Sequence, residues 1–142
     1  MTRVNVIPPE LLSDEWLLAE YREIKRIPNN VRSGKYRMIG IPDHYVLGIG
    51  HEKFFIDKLM FIKNRHDAIR GELSLRFNKE YDITIDLDGI PDHLLNDWEP
   101  GIYDIQRNIR RLQERFRPGF YHFCRRPMED LYVIRSYYDQ TY

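Results

Sequence analysis

Thr2 is the residue of this chain best suited to covalent chemistry on a carbon electrophile. Thr2 follows Met1, and so small a second residue lets an aminopeptidase remove Met1, leaving Thr2 with a free α-amino group. Such an amine has a reference pKa of about 7.7–8.0, against about 10.4 for Lys, so an appreciable fraction is unprotonated at neutral pH. An unprotonated amine adds to an electrophilic carbon and forms a Schiff base. Farther along, Leu17, Tyr21 and Ile24 recur at helical spacing with Leu18 alongside. On that helix Glu20 and Glu23 lie three apart and share a face with Trp16, while Arg22 and Arg26 lie one turn apart on a neighbouring face. Taken alone, Glu23 reads as a solvated helix residue, and spacing does not bring Thr2 beside it.

The elements that must position these residues follow from the apolar pattern. Pro8-Pro9 keeps residues 2–9 extended, and Ser13 or Asp14 can cap the first helix. Pro28 is expected to end it. Residues 28–50 are turn-rich, and Gly48-Ile49-Gly50 suits a tight turn before the next helix better than a phosphate loop. A second helix is expected over 51–76, with Phe55, Leu59, Ile62, His66, Ile69 and Leu73 as its buried stripe. His66 then reads as a core-edge histidine with one hydrogen bond, and Lys53, Lys58, Lys63, Arg65 and Arg70 as a solvated surface. Residues 81–88 alternate with period two, as a short strand or an extended acidic loop. Gly40-Ile41-Pro42-Asp43-His44 recurs as Gly89-Ile90-Pro91-Asp92-His93; both read as Pro-initiated turns, since the flanks do not repeat and the spacing does not suit a local metal site. A third helix over 101–116 carries Ile102, Ile105, Ile109, Leu112 and Phe116, followed by the aromatic loop Phe120-Tyr121-His122-Phe123. The expected fold is therefore all-α: one compact domain over 1–142 with three main helices and long connecting loops. The tyrosine-rich residues 125–142 read as a C-terminal extension with no assigned chemistry.

Composition narrows the class further. At 142 residues, 42% hydrophobic and 31% charged, the chain can bury a sizeable core. It shows no apolar run of bilayer length and no leader pattern, so no membrane association is expected. The lone Cys124 fits a reducing cytoplasm and reads as a partly buried small hydrophobe. Net charge is zero, but it is unevenly distributed. Residues 80–104 carry eight acids and no Lys or Arg, whereas 105–128 carry seven arginines against Glu114 alone. Either a basic face meets an anionic polymer, or the acidic segment folds onto the basic one as ion pairs. Arginines interleaved with aromatic rings, as in Arg117 to Arg126, suit phosphates and bases.

Several blocks in register resemble one family. Met1-Thr2-Arg3-Val4-Asn5, the stretch Leu17 to Arg26 (LLAEYREIKR), and Gly50-His51 with Phe54-Phe55-Ile56-Asp57-Lys58-Leu59 are similar to the phage endonuclease V family of pyrimidine-dimer DNA glycosylases. So are Arg111-Leu112-Gln113-Glu114-Arg115 and the following Arg117-Pro118 with its aromatic run, after a two-residue deletion. The blocks span roughly residues 1–124, with a shortened loop near Ile27 to Tyr36.

The resemblance implies an all-α fold in which the N-terminal segment threads between helices and brings Thr2 to the first helix. It implies a monomeric DNA repair glycosylase with abasic-site lyase activity and no cofactor or metal. Its partner is double-stranded DNA containing pyrimidine dimers or abasic sites. Thr2 and Glu23 become the catalytic pair, and Glu20 is expected to matter much less. Arg3, Arg22 and Arg26 take phosphates and the damaged site, Arg111 and Arg115 take phosphates on the third helix, and Arg117, Phe120 and Tyr121 complete the DNA surface. Glu15 and Trp16 stand where the family commonly has a Gln-His pair facing the lesion. Phe120-Tyr121-His122-Phe123-Cys124 stands where it has Trp-Tyr-Lys-Tyr-Tyr. These departures bear on lesion preference. Two other classes compete: a non-catalytic damaged-DNA-binding protein on this scaffold, and a small acid–base enzyme using Glu20 and Glu23.

Overall fold

The computed structural model describes residues 3–141. After an extended segment and a single 3-10 turn at Pro9–Leu11, six α-helices follow: α1 (Asp14–Glu23), α2 (Arg26–Arg32), α3 (His51–Phe54), α4 (Leu59–Phe77), α5 (Ile102–Arg115) and α6 (Tyr132–Thr141). The regular strands among the described residues are β1 (His122–Phe123) and β2 (Arg126–Pro127), which pair antiparallel. The all-α expectation holds, but the three main helices expected become six α-helices among the described residues. None of them is long and apolar enough to cross a membrane.

Local chemistry explains where the helices start and stop. Ser13 caps α1, its Oγ accepting the Trp16 N–H at 3.1 Å. Pro28 does not end the helical path. It sits in the first turn of α2, where a residue without an N–H loses no intrahelical bond. The expected second helix breaks at Phe55–Lys58. Lys58 Nζ donates to the Phe54 carbonyl at 2.9 Å and closes α3, while the Asn96 carbonyl accepts the Met60 and Phe61 N–H groups that open α4. This break lets α3 turn His51 inward independently of the long helix. Gly50, at φ 88°, makes the turn into α3, and a Cβ there would sit 3.2 Å from Pro42 Cγ.

The stripe Phe55, Leu59, Ile62, His66, Ile69 and Leu73 is buried throughout, in one core with Leu17 and Tyr21 of α1 and with Ile24 just beyond its end. Each such aliphatic side chain stabilises the fold by about 1.5–3 kcal/mol relative to exposure. His66 is fully buried rather than at the edge, with its Nε2 at 3.2 Å from the Tyr21 carbonyl. On α5, Ile105, Ile109 and Leu112 are buried as expected, whereas Ile102 at the helix start is exposed. Residues 81–88 form a loop, anchored where Tyr21 Oη accepts the Ile83 N–H at 3.1 Å. Pro91 leads into a 3-10 turn at Asp92–Leu94, while the first copy of the repeat forms irregular loop. In the C-terminal stretch, Leu131 and Ile134 are buried with the core.

The β1–β2 connection also departs from expectation. Cys124 is exposed at its tip, and both Cys124 (φ 49°) and Arg125 (φ 68°) are left-handed, as the two central residues of a tight type I′ turn require. Neither residue type favours that region. Asp14 compensates: its carboxylate accepts both amides, Cys124 at 3.0 Å and Arg125 at 2.7 Å, and also takes Arg76 Nη1 at 3.0 Å.

Candidate active site

Residues 4–7 thread between the helices, and side chains rather than a sheet satisfy their backbone. The Val4 N–H donates to His51 Nε2 at 2.8 Å, and the Val4 carbonyl accepts from Tyr45 Oη at 2.9 Å. Asn108 Oδ1, from α5, accepts the Val6 N–H at 2.7 Å, and the Ile7 carbonyl accepts from Arg65 of α4. The Asn5 side chain donates to Glu20 Oε1 and accepts from Asn108 Nδ2, each at 2.8 Å. An extended strand buried without sheet partners needs such donors and acceptors, because each orphaned backbone group costs about 1–3 kcal/mol.

Glu20 and Arg65 form the centre of this network. Glu20 is 2% exposed and Arg65 8%. Glu20 accepts from Arg65 Nε at 2.8 Å and Nη2 at 3.2 Å as well as from Asn5. Arg65 therefore does not belong to the solvated surface. Its burial has a signal in the sequence: Ile62, Arg65 and Ile69 step by three and four, as the apolar stripe does. Three buried protein donors thus occupy most of the acceptor positions of the Glu20 carboxylate, which ties Glu20 to the packing of the threaded segment and argues against a carboxylate pair of Glu20 and Glu23.

His51 must be neutral to serve this arrangement. Its Nε2 accepts from Val4, so its Nδ1 carries the proton and donates to the Val46 carbonyl at 2.7 Å. Burial holds His51 below the ordinary histidine pKa, and burial does the same to His66. The sign of the linkage follows. Above about pH 6.5 both folded and unfolded histidines are neutral and the stability contribution is complete; below it the unfolded chain takes up protons that the folded chain refuses. The urea midpoint is therefore expected to fall between pH 7.5 and pH 5.5. A flat midpoint over that interval would contradict the neutral assignment.

The threaded segment delivers Arg3 to a cleft of about 250 Å³, lined also by Asn5, Trp16, Ala19, Glu20, Glu23, Arg115 and Tyr121. Trp16, Glu20 and Glu23 reach it together because their spacing puts them on one face of α1. Glu23 is half-buried and has no hydrogen bond or ion pair with another described residue, unlike its neighbour Glu20. Trp16 and Tyr121 pack with ring centroids 4.5 Å apart and form an aromatic wall. Burial pushes Arg3 below the ordinary arginine pKa, and the nearby Arg115 and Arg111 guanidiniums push it the same way. Three clustered cations beside a carboxylate and an aromatic wall suit a phosphodiester carrying a flat base. A larger cavity of about 470 Å³ opens near Val31, Tyr36 and Lys53, but none of the threaded residues reaches it.

Other expected site residues lie outside the cleft. Arg22 and Arg26 are exposed on α1 and α2. Arg111 is half-buried, 3.5 Å from Glu114 of its own helix. Arg117 lies over the ring of Phe120, which is 62% exposed. Among the described residues no ion pair joins the acidic 80–104 segment to the arginines at 107–126, so those arginines are not neutralised by that segment. Glu15 does not face the cleft; both its oxygens are taken by His122. Thr2 lies outside the described residues and is peptide-bonded to Arg3.

A sequence profile described as pyrimidine dimer DNA glycosylase matches residues 1–84. The chain belongs to this family. The match covers the threaded segment, α1 to α4 and six of the eight residues that line the cleft. Arg115 and Tyr121 lie beyond it, on α5 and just before β1. Membership makes the chain one of a family of glycosylases acting on pyrimidine dimers in DNA, and the cleft is where Arg3, Asn5, Glu23 and Arg115 converge.

Proposed function

We propose that this chain excises ultraviolet-induced cyclobutane pyrimidine dimers through an imine formed by the Thr2 amine and then cuts the strand as an abasic-site lyase. The observation that carries this reading is the cleft that Arg3, next in the chain to Thr2, lines together with Glu23, whose carboxylate has no hydrogen-bond or ion-pair partner among the described residues. After loss of Met1, the Thr2 nitrogen attacks C1′ of the damaged nucleotide's sugar. The glycosidic C1′–N bond breaks, and the base leaves with the bonding electrons and a proton. Loss of a proton from the attacking nitrogen and ring opening give a cationic C1′=N imine.

Glu23 balances the positive charge and removes a proton from C2′. Those electrons form the C2′=C3′ bond and expel the 3′ phosphate, and hydrolysis of the remaining imine returns the amine. Arg3, Arg115 and Arg111 hold the backbone, while Trp16 and Tyr121 receive a base face. Arg22, Arg26, Arg117 and Phe120 extend the contact over the flanking duplex. No cofactor or metal takes part, and a monomer suffices.

The test is borohydride trapping. Protein whose mass confirms a Thr2 start should form a covalent adduct with duplex carrying an abasic site or a defined dimer, and protein retaining Met1 should not. No adduct from the Thr2 form would leave a damaged-DNA-binding protein without catalysis.

A further inference from the structure

We propose that Glu15 is a positioning residue that sets the aromatic wall of the cleft through the β1–β2 hairpin. This rests on the glycosylase reading above. Glu15 Oε1 accepts the His122 N–H at 2.7 Å, and Oε2 lies 2.8 Å from His122 Nδ1. The next residue of α1, Trp16, packs against the preceding residue of the hairpin, Tyr121. Two consecutive helix residues thus grip two consecutive hairpin residues, one by hydrogen bonds and one by ring contact. Trp16 and Tyr121 line the cleft, and Glu15 and His122 do not.

The hairpin needs such a grip. Its strands are two residues each, and a two-stranded ribbon of that length is not stable alone. Asp14 holds its tip at Cys124 and Arg125, and Met128 bonds the Tyr121 carbonyl at 2.8 Å. Glu15 holds the end nearest the cleft, and it is the α1 residue bonded to the backbone adjoining Tyr121. The role differs from the direct lesion contact expected of position 15. A dimer presents two linked bases to this wall, whereas an abasic sugar presents none, so loosening the wall should affect dimer cleavage more.

The experiment is a double-mutant cycle with Glu15→Ala, Tyr121→Ala and the pair, assayed on duplexes carrying a dimer or a plain abasic site. Glu15→Ala should lower the ratio of dimer to abasic kcat/KM by about tenfold, the scale of one charge-assisted hydrogen bond. In the Tyr121→Ala background it should cost little more. Glu15→Gln should retain most of the ratio, because its amide oxygen still accepts the His122 N–H. In amide hydrogen exchange, Glu15→Ala should speed exchange of the His122 amide while α4 stays protected. Additive losses mean that Glu15 acts on DNA directly and overturn the proposal, as does unchanged exchange at His122. If the parent cleaves neither substrate, the glycosylase reading fails, and the exchange result alone decides whether Glu15 positions the hairpin.

Discussion

Glu23→Gln should abolish turnover on dimer and abasic duplexes while the fold and DNA binding persist. The amide keeps the shape of the carboxylate but neither removes the C2′ proton nor balances a cationic imine. General acid–base groups contribute about 10²–10⁴-fold, so a loss of at least that scale is expected in single-turnover cleavage. The thermal midpoint should hardly move, because Glu23 bonds no other described residue and is only half-buried. Binding to uncleaved dimer duplex, measured by anisotropy at fixed salt, should stay near the parent value. A Glu23→Gln protein that cuts within a few-fold of the parent would remove Glu23 from the chemistry.

The neighbouring carboxylate should behave in the opposite way. Glu20→Ala strips a buried guanidinium of its partner, and breaking a buried pair from one side costs about 3–5 kcal/mol. Domains of this size have roughly 5–15 kcal/mol in total, so the unfolding midpoint should drop by a large fraction. Asn5 loses an acceptor in the same change, which loosens the threaded segment. Glu20→Gln should be milder but still destabilising, because an amide N–H2 cannot accept from Arg65. The expectation that Glu20 matters less than Glu23 concerned cleavage; its weight in the fold comes from the Arg65 and Asn5 contacts. A Glu20→Ala protein as stable as the parent in urea would show that Arg65 finds water or another partner.

The helices that place the cleft were legible because period is a local property. The α4 stripe and the shared face of Trp16, Glu20 and Glu23 follow from spacing alone. The break between α3 and α4 was not legible, since its cause is the Asn96 carbonyl from a distant loop. Arg65 was misassigned because a charged residue at an apolar position is outwardly like a solvated one until its partner is known. The setting of Glu15 was not legible for a similar reason: the family position implies a contact with the lesion, while the structure pairs its carboxylate with His122, more than a hundred residues away. Tyr45 and Asn108 carry no motif beyond an ordinary polar residue near apolar ones, and the matched blocks that hold Asn5 and His51 assign them no role. Their role appears only when a strand without a sheet has to be satisfied.

The threaded segment also has a consequence for the order of events during synthesis. Its partners stand at positions 20, 45, 51, 65 and 108, and the Asn5–Asn108 bond closes a separation of 103 residues. Closing loops of that length precedes the contacts that reward it. In a nascent chain residues 3–7 are made about a hundred positions before Asn108, whose side-chain amide secures them at α5. The cleft therefore does not mature with the N-terminal half that supplies most of its lining. Residues 3–7 wait for α5 before Asn108 can fasten them.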